Sequence, residues 1–219
     1  MSRSTARPCR APWRRWGGRA IKSLVAAEQL SERVQTQRRS WVDAIRPRLN
    51  GPDLVFVDES GANLGMTPRC GWAPVGERAR ESAPINKGRN LTMVAGMSIA
   101  GPLAARVQEG AMNGERFVRW VRTALAPRLW SGAVVVLDNL GAHKVKGVRE
   151  AIEAVGARVL HLPPYSPDFN AIERMWSKIK EALRRAKAPT GHAFRYALRR
   201  ATHGMRPADA AAWIVGCGY

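Results

Sequence analysis

The sequence predicts an α/β fold in which a single mixed sheet carries helices on its faces. Three observations predict it. Short apolar runs bounded by turn residues, at 54–57, 91–99 and 134–137, have the length and β-branched content of buried strands. Segments with apolar residues at three- and four-residue spacing lie between and after them, as in helices with one buried stripe. The order is three strands, helix, strand, helix, strand, helix. The first three strands can form a meander, whereas the later ones need crossover connections and therefore lie parallel.

The elements follow in order. Residues 1–20 hold six arginines, Arg3, Arg7, Arg10, Arg14, Arg15 and Arg19, with Trp13 and Trp16 interleaved and no acid, which predicts a disordered basic arm. A helical lead-in over 21–50 is marked by Leu24, Ala27, Leu30, Val34, Trp41, Ile45 and Leu49, and Pro47 and Asn50-Gly51-Pro52 stop it. The first strand then runs 54–57 and ends at Asp58. Residues 61–88, rich in Gly, Pro and Arg, read as a hairpin or loop, within which Trp72 is a buried ring or a wedge for DNA. Strands at 91–99 and 103–108 are joined by the tight turn Ala100-Gly101-Pro102. Asn113 can cap a helix reaching about residue 129, with Phe117, Trp120, Val121 and Ala124 on its core face. A strand at 134–138, a helix at 146–155 and a strand at 157–162 come next. A long helix begins after Asn170, and two shorter ones follow Pro189 and Pro207. At 219 residues this amounts to one domain over 51–188, with a C-terminal helical extension over 189–219.

Charge narrows the function. Lys and Arg number 36 against 17 acids, a formal +19 that repels itself unless a polyanion screens it, and nucleic acid is the expected partner. Cys9, Cys70 and Cys217 are odd in number and lack zinc-ligand spacing, which predicts a reducing cytoplasm and no structural metal. No run approaches the roughly 20 apolar residues of a membrane span, and the Arg-rich start lacks the apolar segment of a secretory signal. The expected location is cytoplasmic, associated with the nucleoid.

Chemistry in open α/β sheets gathers at the carboxyl ends of strands. Asp58 and Asp138 both occupy that position. Taken alone, each is read as well by the turn or helix cap that a strand-end Asp often starts. Glu173 adds a third carboxylate, on the first turn of a helix whose apolar face is Ile172, Met175, Trp176, Ile179 and Leu183. Its rival reading is a capping box with Asn170 three residues earlier. Three carboxylates meeting at about 4 Å would repel by about 4 kcal/mol per pair at an effective dielectric near 20, which a hard divalent cation such as Mg²⁺ resolves. Glu59, next to Asp58, should face the other side of the strand and serve structure.

These residues stand in recognisable blocks: FVDES around Asp58, LDNLGAHK around Asp138, and PPYSPDFNAIE ending at Glu173, with 34 residues between the last two acids. Together they resemble the catalytic triad of DDE transposases, in the bacterial insertion-sequence branch of the mariner-like superfamily. The similarity runs from about residue 24 to Tyr219 and includes GWAPVGER at 71–78 and NGERF at 113–117. Ala171 stands where the family usually has Pro. The resemblance implies a ribonuclease-H-like fold, with Asp58, Asp138 and Glu173 as both catalytic residues and metal ligands. Two Mg²⁺ ions would bind, replaceable by Mn²⁺, and Asp58 would bridge them. It also implies double-stranded DNA as substrate, cut at element ends and joined to a TA target by two-metal phosphoryl transfer. Asn139, His143 and Asn170 are candidates to orient the acids or contact DNA. Lys180 and Arg184, on the same side of their helix as Glu173, would track phosphates or form a solvated face. Full-length members begin with helix-turn-helix modules longer than residues 1–50, which implies an upstream DNA-reading polypeptide or a frameshift fusion, and a homodimer assembled on DNA. The alternative is a truncated, non-catalytic DNA-binding remnant or regulator.

Overall fold

A computed structural model describes residues 26–68, 73–80, 82 and 87–219. The readings of the basic arm, Cys9, Cys70 and Trp72 lie outside them. Among the described residues, five strands form one sheet in the order β3-β2-β1-β4-β5. They are β1 (Leu54–Ala62), β2 (Leu91–Ser98), β3 (Gly101–Glu109), β4 (Val134–Leu137) and β5 (Arg158–His161). β1, β2 and β3 pair antiparallel as a meander, and β4 and β5 join parallel to β1. The mixed sheet flanked by helices is the ribonuclease-H-like arrangement.

Each strand alternates between two cores. Leu54, Phe56, Met93, Met97, Val134 and Val136 face one side, where α4 (Ile172–Ala186) lays down Ile172, Met175, Trp176, Ile179 and Leu183. Phe194 and Leu198 of α5 (Gly191–His203) and Ile214 of α6 (Pro207–Gly216) extend that layer. Val55, Val57, Val94, Val135 and Leu137 face the other side. There they meet Phe117 and Trp120 of α2 (Gly114–Trp120) and Val148 and Ile152 of α3 (Val148–Glu153). The 9-residue β1 is central and buried on both sides, which is why LVFV reads as a continuous apolar run.

Several boundaries differ from expectation for physical reasons. β1 does not end at Asp58, because β2 keeps pairing with it from Asp58↔Ala95 through Ala62↔Leu91 after β4 has stopped at Leu137. The turn between β2 and β3 falls at Ile99 and Ala100, so Gly101 and Pro102 already pair with β2. The lead-in helix is compound: α1 (Glu32–Ser40) widens into a π turn, Trp41–Ile45, and tightens to a 3₁₀ turn, Arg46–Arg48. α2, capped by Asn113 Oδ1 accepting the Arg116 N–H at 2.9 Å, repeats the same sequence through Val121–Leu125 and Ala126–Arg128. In both, the 3₁₀ turn contains a proline, Pro47 or Pro127, which has no N–H to donate and whose ring would strike the carbonyl four residues back. α3 starts at Val148, two residues later than expected, because Gly147 adopts φ 102°, which glycine alone tolerates easily, while its N–H donates to Glu150 Oε2. No helix of the described residues is long and apolar enough to cross a membrane.

Ile179 is wholly buried between α4 and the sheet. Ile179→Ala should lower the unfolding free energy by about 2–5 kcal/mol, read from the urea midpoint at unchanged m-value. Arg185→Ala, on the exposed face of the same helix, should change it by less than about 0.5 kcal/mol.

Candidate active site

The sheet's alternation decides where the acids point. Asp58 shares the parity of Leu54 and Phe56 and so emerges on the α4 side, 8 % exposed, with Oδ1 accepting the Glu59 N–H at 2.7 Å. Asp138 follows directly after β4. Since Val57 pairs with Leu137 in parallel register, the next residues, Asp58, still in β1, and Asp138, just past β4, stand side by side. Glu173 enters from the first turn of α4. All three line one open cavity of about 530 Å³, together with Asn139, Asn170 and the 162–167 loop.

The two bland readings fare differently. Asp138 does start a turn, its Oδ1 accepting the Leu140 N–H at 3.0 Å. The capping box is not formed: α4 has no side-chain cap hydrogen bond, and the Glu173 N–H donates to the backbone carbonyl of Asn170 at 3.2 Å. Asn170 is buried, and its Oδ1 has no hydrogen-bond partner although the residue lines the cavity. A buried amide oxygen without a donor is costly unless something else satisfies it.

One expectation is corrected. The acids border a shared space and do not meet at contact distance; among the described residues no three His, Cys, Asp or Glu groups already stand at metal-cage spacing. Mutual repulsion opposes such a cluster, and Asp138 is paired from outside the cavity, its Oδ1 lying 2.5 Å from His143 Nδ1. The donor set nevertheless fits a hard divalent cation. It comprises three carboxylates from three elements on one solvent-reachable cavity, whose lining residue Asn170 keeps a buried amide oxygen without a donor.

Electrostatics bear the same mark. Burial, then the Glu173 charge, push the Asp58 carboxyl up to about 8, with Asp138 adding to the rise. Glu173 is raised by burial, eased by Lys180, and raised again by Asp138. Burial would raise Asp138 too, but the paired His143 outweighs it and holds that carboxyl below its ordinary value. His143, although buried, is pushed up to about 10 by Asp138 and Glu59.

Asn139 lines the cavity, while His143 lies behind Asp138 and outside the lining. Lys180 and Arg184 are half-buried on α4 and do not line it. The cation on the wall is Arg33 of α1, which no sequence motif marks. Arg38 is equally unmarked. Its guanidinium pairs bidentately with Asp168 at 2.9 and 2.6 Å, donates to Ser166 Oγ at 2.7 Å and covers the Phe169 ring at 4.3 Å. The lead-in helix thereby clamps the PPYSPDF segment that borders the site. His161 Nδ1, 3.1 Å from the Asp138 carbonyl oxygen, is likewise unforeseen by the sequence. No local signal could have found these pairings, since Arg38 and Asp168 are 130 positions apart.

A family profile described as DDE superfamily endonuclease matches residues 53–195. The chain belongs to this family. The matched span of this DDE superfamily endonuclease contains β1, β4 and α4, hence all three cavity acids. Sequence comparison with curated proteins gives no match. Among solved structures, the Mos1 strand transfer complex superposes at TM-score 0.74 with 17 % identity, covering 94 % of this chain and 64 % of that one. The Mos1 transposase catalytic domain with Raltegravir and Mg gives 0.66, 13 % identity, 89 % and 92 %. The Mos1 mariner catalytic domain crystal structure gives 0.63, 14 %, 90 % and 92 %. At such identities the likeness is one of fold. The chain spans 64 % of the protein in the strand transfer complex.

Folding raises the affinity of Asp58 for its proton, so this residue withdraws stability as pH climbs from 3.8 toward about 8. His143, also raised, contributes stability that is complete below 6.5 and disappears as pH passes about 10. In chelator, Asp58→Asn should abolish the first loss, raising stability at pH 8 by about 1–3 kcal/mol, and leave the second intact. Urea midpoints measured from pH 4 to 10 for both proteins check this; parallel curves would refute it.

Proposed function

We propose that the chain is the catalytic portion of a transposase of the bacterial insertion-sequence, mariner-like branch, which cuts DNA at element ends and joins them to a TA target. The observation that carries this reading is the convergence of Asp58, Asp138 and Glu173, from β1, β4 and α4, on one open cavity. Two features support DNA as substrate. The formal +19 favours an anionic partner. A second cavity of about 690 Å³ beside the edge strand β3 is lined by Arg106, Arg128, Arg195 and Arg199 and by no acid. The Mos1 neighbours include a strand transfer complex and paired-end complexes with Mn and with Mg.

In this reading Asp58, Asp138 and Glu173 would hold two divalent ions, Mg²⁺ or Mn²⁺, with Asp58 supplied by the central strand. The ions supply charge stabilisation for in-line phosphoryl transfer and lower the pKa of an attacking water or 3′-hydroxyl. The residues of the chain supply the rest. The sheet pre-orients two carboxylates and α4 brings the third, with Asn170 beside them in the cavity wall. Arg33 on the wall is positioned to meet a DNA phosphate. An upstream helix-turn-helix polypeptide or fusion provides end recognition, and two copies assemble on the DNA within the nucleoid.

The test is Mg²⁺- or Mn²⁺-dependent nicking of supercoiled plasmid carrying the DNA that flanks the gene, with and without the upstream product. Glu173→Gln keeps the shape and a helix-compatible side chain, so it should stay folded. Its nicking should fall by more than the roughly 10–100-fold that changes around a metal's ligands typically cost. Nicking at the parental rate would refute the assignment, and absence of nicking by the parent with both ions and the upstream product would favour the non-catalytic remnant. Arg195→Glu with Arg199→Glu should flatten the log–log salt dependence of duplex binding by about 0.9 for each phosphate that the altered surface no longer neutralises.

A further inference from the structure

β1 delivers consecutive acids to opposite faces of the sheet. Asp58 goes to the cavity; Glu59, with the parity of Val55 and Val57, goes to the α2 side. There it meets His143, whose ring is fully buried. Nε2 of that ring lies 2.8 Å from Glu59 Oε2, and Nδ1 lies 2.5 Å from Asp138 Oδ1. The third side is closed by Phe117, with ring centroids 4.4 Å apart. Both interactions of the Asp138 carboxylate, with the Leu140 N–H and with His143, fall on Oδ1. Oδ2 takes no hydrogen bond among the described residues. The carboxylate is therefore gripped by one oxygen from behind while the other stays available to a ligand.

We infer that Glu59, acting through His143, is a positioning residue that sets the orientation of Asp138 from the far side of the sheet. The inference rests on the reading of Asp138 as a metal ligand and extends it to two residues outside the cavity wall. A free Asp side chain samples several rotamers, and two torsions must be fixed for one oxygen to face a cation. The Leu140 N–H alone constrains one acceptor direction. The buried ring adds a second, and Glu59 keeps the ring from rotating, since an imidazole held at one nitrogen can still swing about it. Carboxylates backed in this way hold metals more tightly than unsupported ones. A purely structural role for the pair would contribute to folding and leave the carboxylate's ligand geometry unaffected.

The experiment uses the full chain in two assays, Mn²⁺ affinity by electron paramagnetic resonance titration without DNA, and plasmid nicking. Glu59→Ala and Glu59→Met, checked for fold by circular dichroism, should weaken Mn²⁺ binding roughly 10–100-fold and lower kcat while KM for DNA stays unchanged. His143→Ala should do the same, and Glu59→Ala added to it should cause no further loss, because both act along one path. His143→Asn places an amide nitrogen near the Nδ1 position but cannot reach Glu59, so it should bind Mn²⁺ no more tightly than Glu59→Ala does. Should Glu59→Ala fail to fold, Glu59→Met, similar in length but without an acceptor for Nε2, carries the comparison. Folded Glu59 variants with parental Mn²⁺ affinity and kcat would overturn the inference, as would a folded His143→Asn that binds Mn²⁺ as tightly as the parent. Asp138→Asn separates the two claims. If it binds Mn²⁺ and nicks like the parent, Asp138 is no ligand and the reading beneath falls. If it is inactive while the Glu59 variants are normal, only the positioning role is withdrawn.

Discussion

Val57 sits opposite Leu137 in a parallel pair, and the site depends on that register. β4 stops there and β1 does not, because β2 continues to hydrogen-bond it on the other side. The two strands therefore part where their first ionisable residues occur. Asp58 remains on a rigid, paired strand, while Asp138 begins a turn. A slip of one residue would send Asp58 to the α2 face and Glu59 to the cavity, since strand side chains alternate strictly. The apolar runs on both faces of β1 forbid that slip, as each would bury its residues in the wrong core.

Around this junction the chain accumulates charge that it does not neutralise locally. Asp58 is pushed toward its protonated form by burial and by Glu173, and Asn170 keeps a buried oxygen without a donor. A fold selected for stability alone would place apolar groups or cations there. Asp138 draws its counter-charge from behind, through His143, while Lys180 eases Glu173 and Arg33 stands on the cavity wall. Opposite it, Arg38 ties the loop bordering the cavity to the lead-in helix by two hydrogen bonds to Asp168 and one to Ser166. The cavity thus has two braced walls and an open centre.

Much of this is legible in the chain. The apolar runs, the helical stripe of α4 and the Asn113 cap are local, and local pattern reports them well. The three acids are legible because strand-end placement and motif blocks identify them without knowledge of their neighbours. What escapes are pairings across long separations. The capping-box reading of Asn170 and Glu173 is reasonable from their spacing and fails because the Asn170 side chain points elsewhere. The Glu59–His143 pair escapes because strand alternation says only which face Glu59 takes. It does not say that a 3₁₀ turn, Gly141–Lys144, would bring a ring beneath it.

Composition and periodicity by themselves determined the basic character, the mixed sheet and the order of its elements, because each follows from residue type and near-neighbour spacing, whereas the three candidate acids were singled out by the resemblance of their motif blocks. Tertiary structure alone decided that β1 outlasts β4, that the acids border a cavity without touching, and that His143 and Arg38 brace its two sides. Those outcomes depend on which backbone partner persists and on which distant side chains share a buried volume. Both are set when the layers pack, by constraints that no stretch of the chain carries alone.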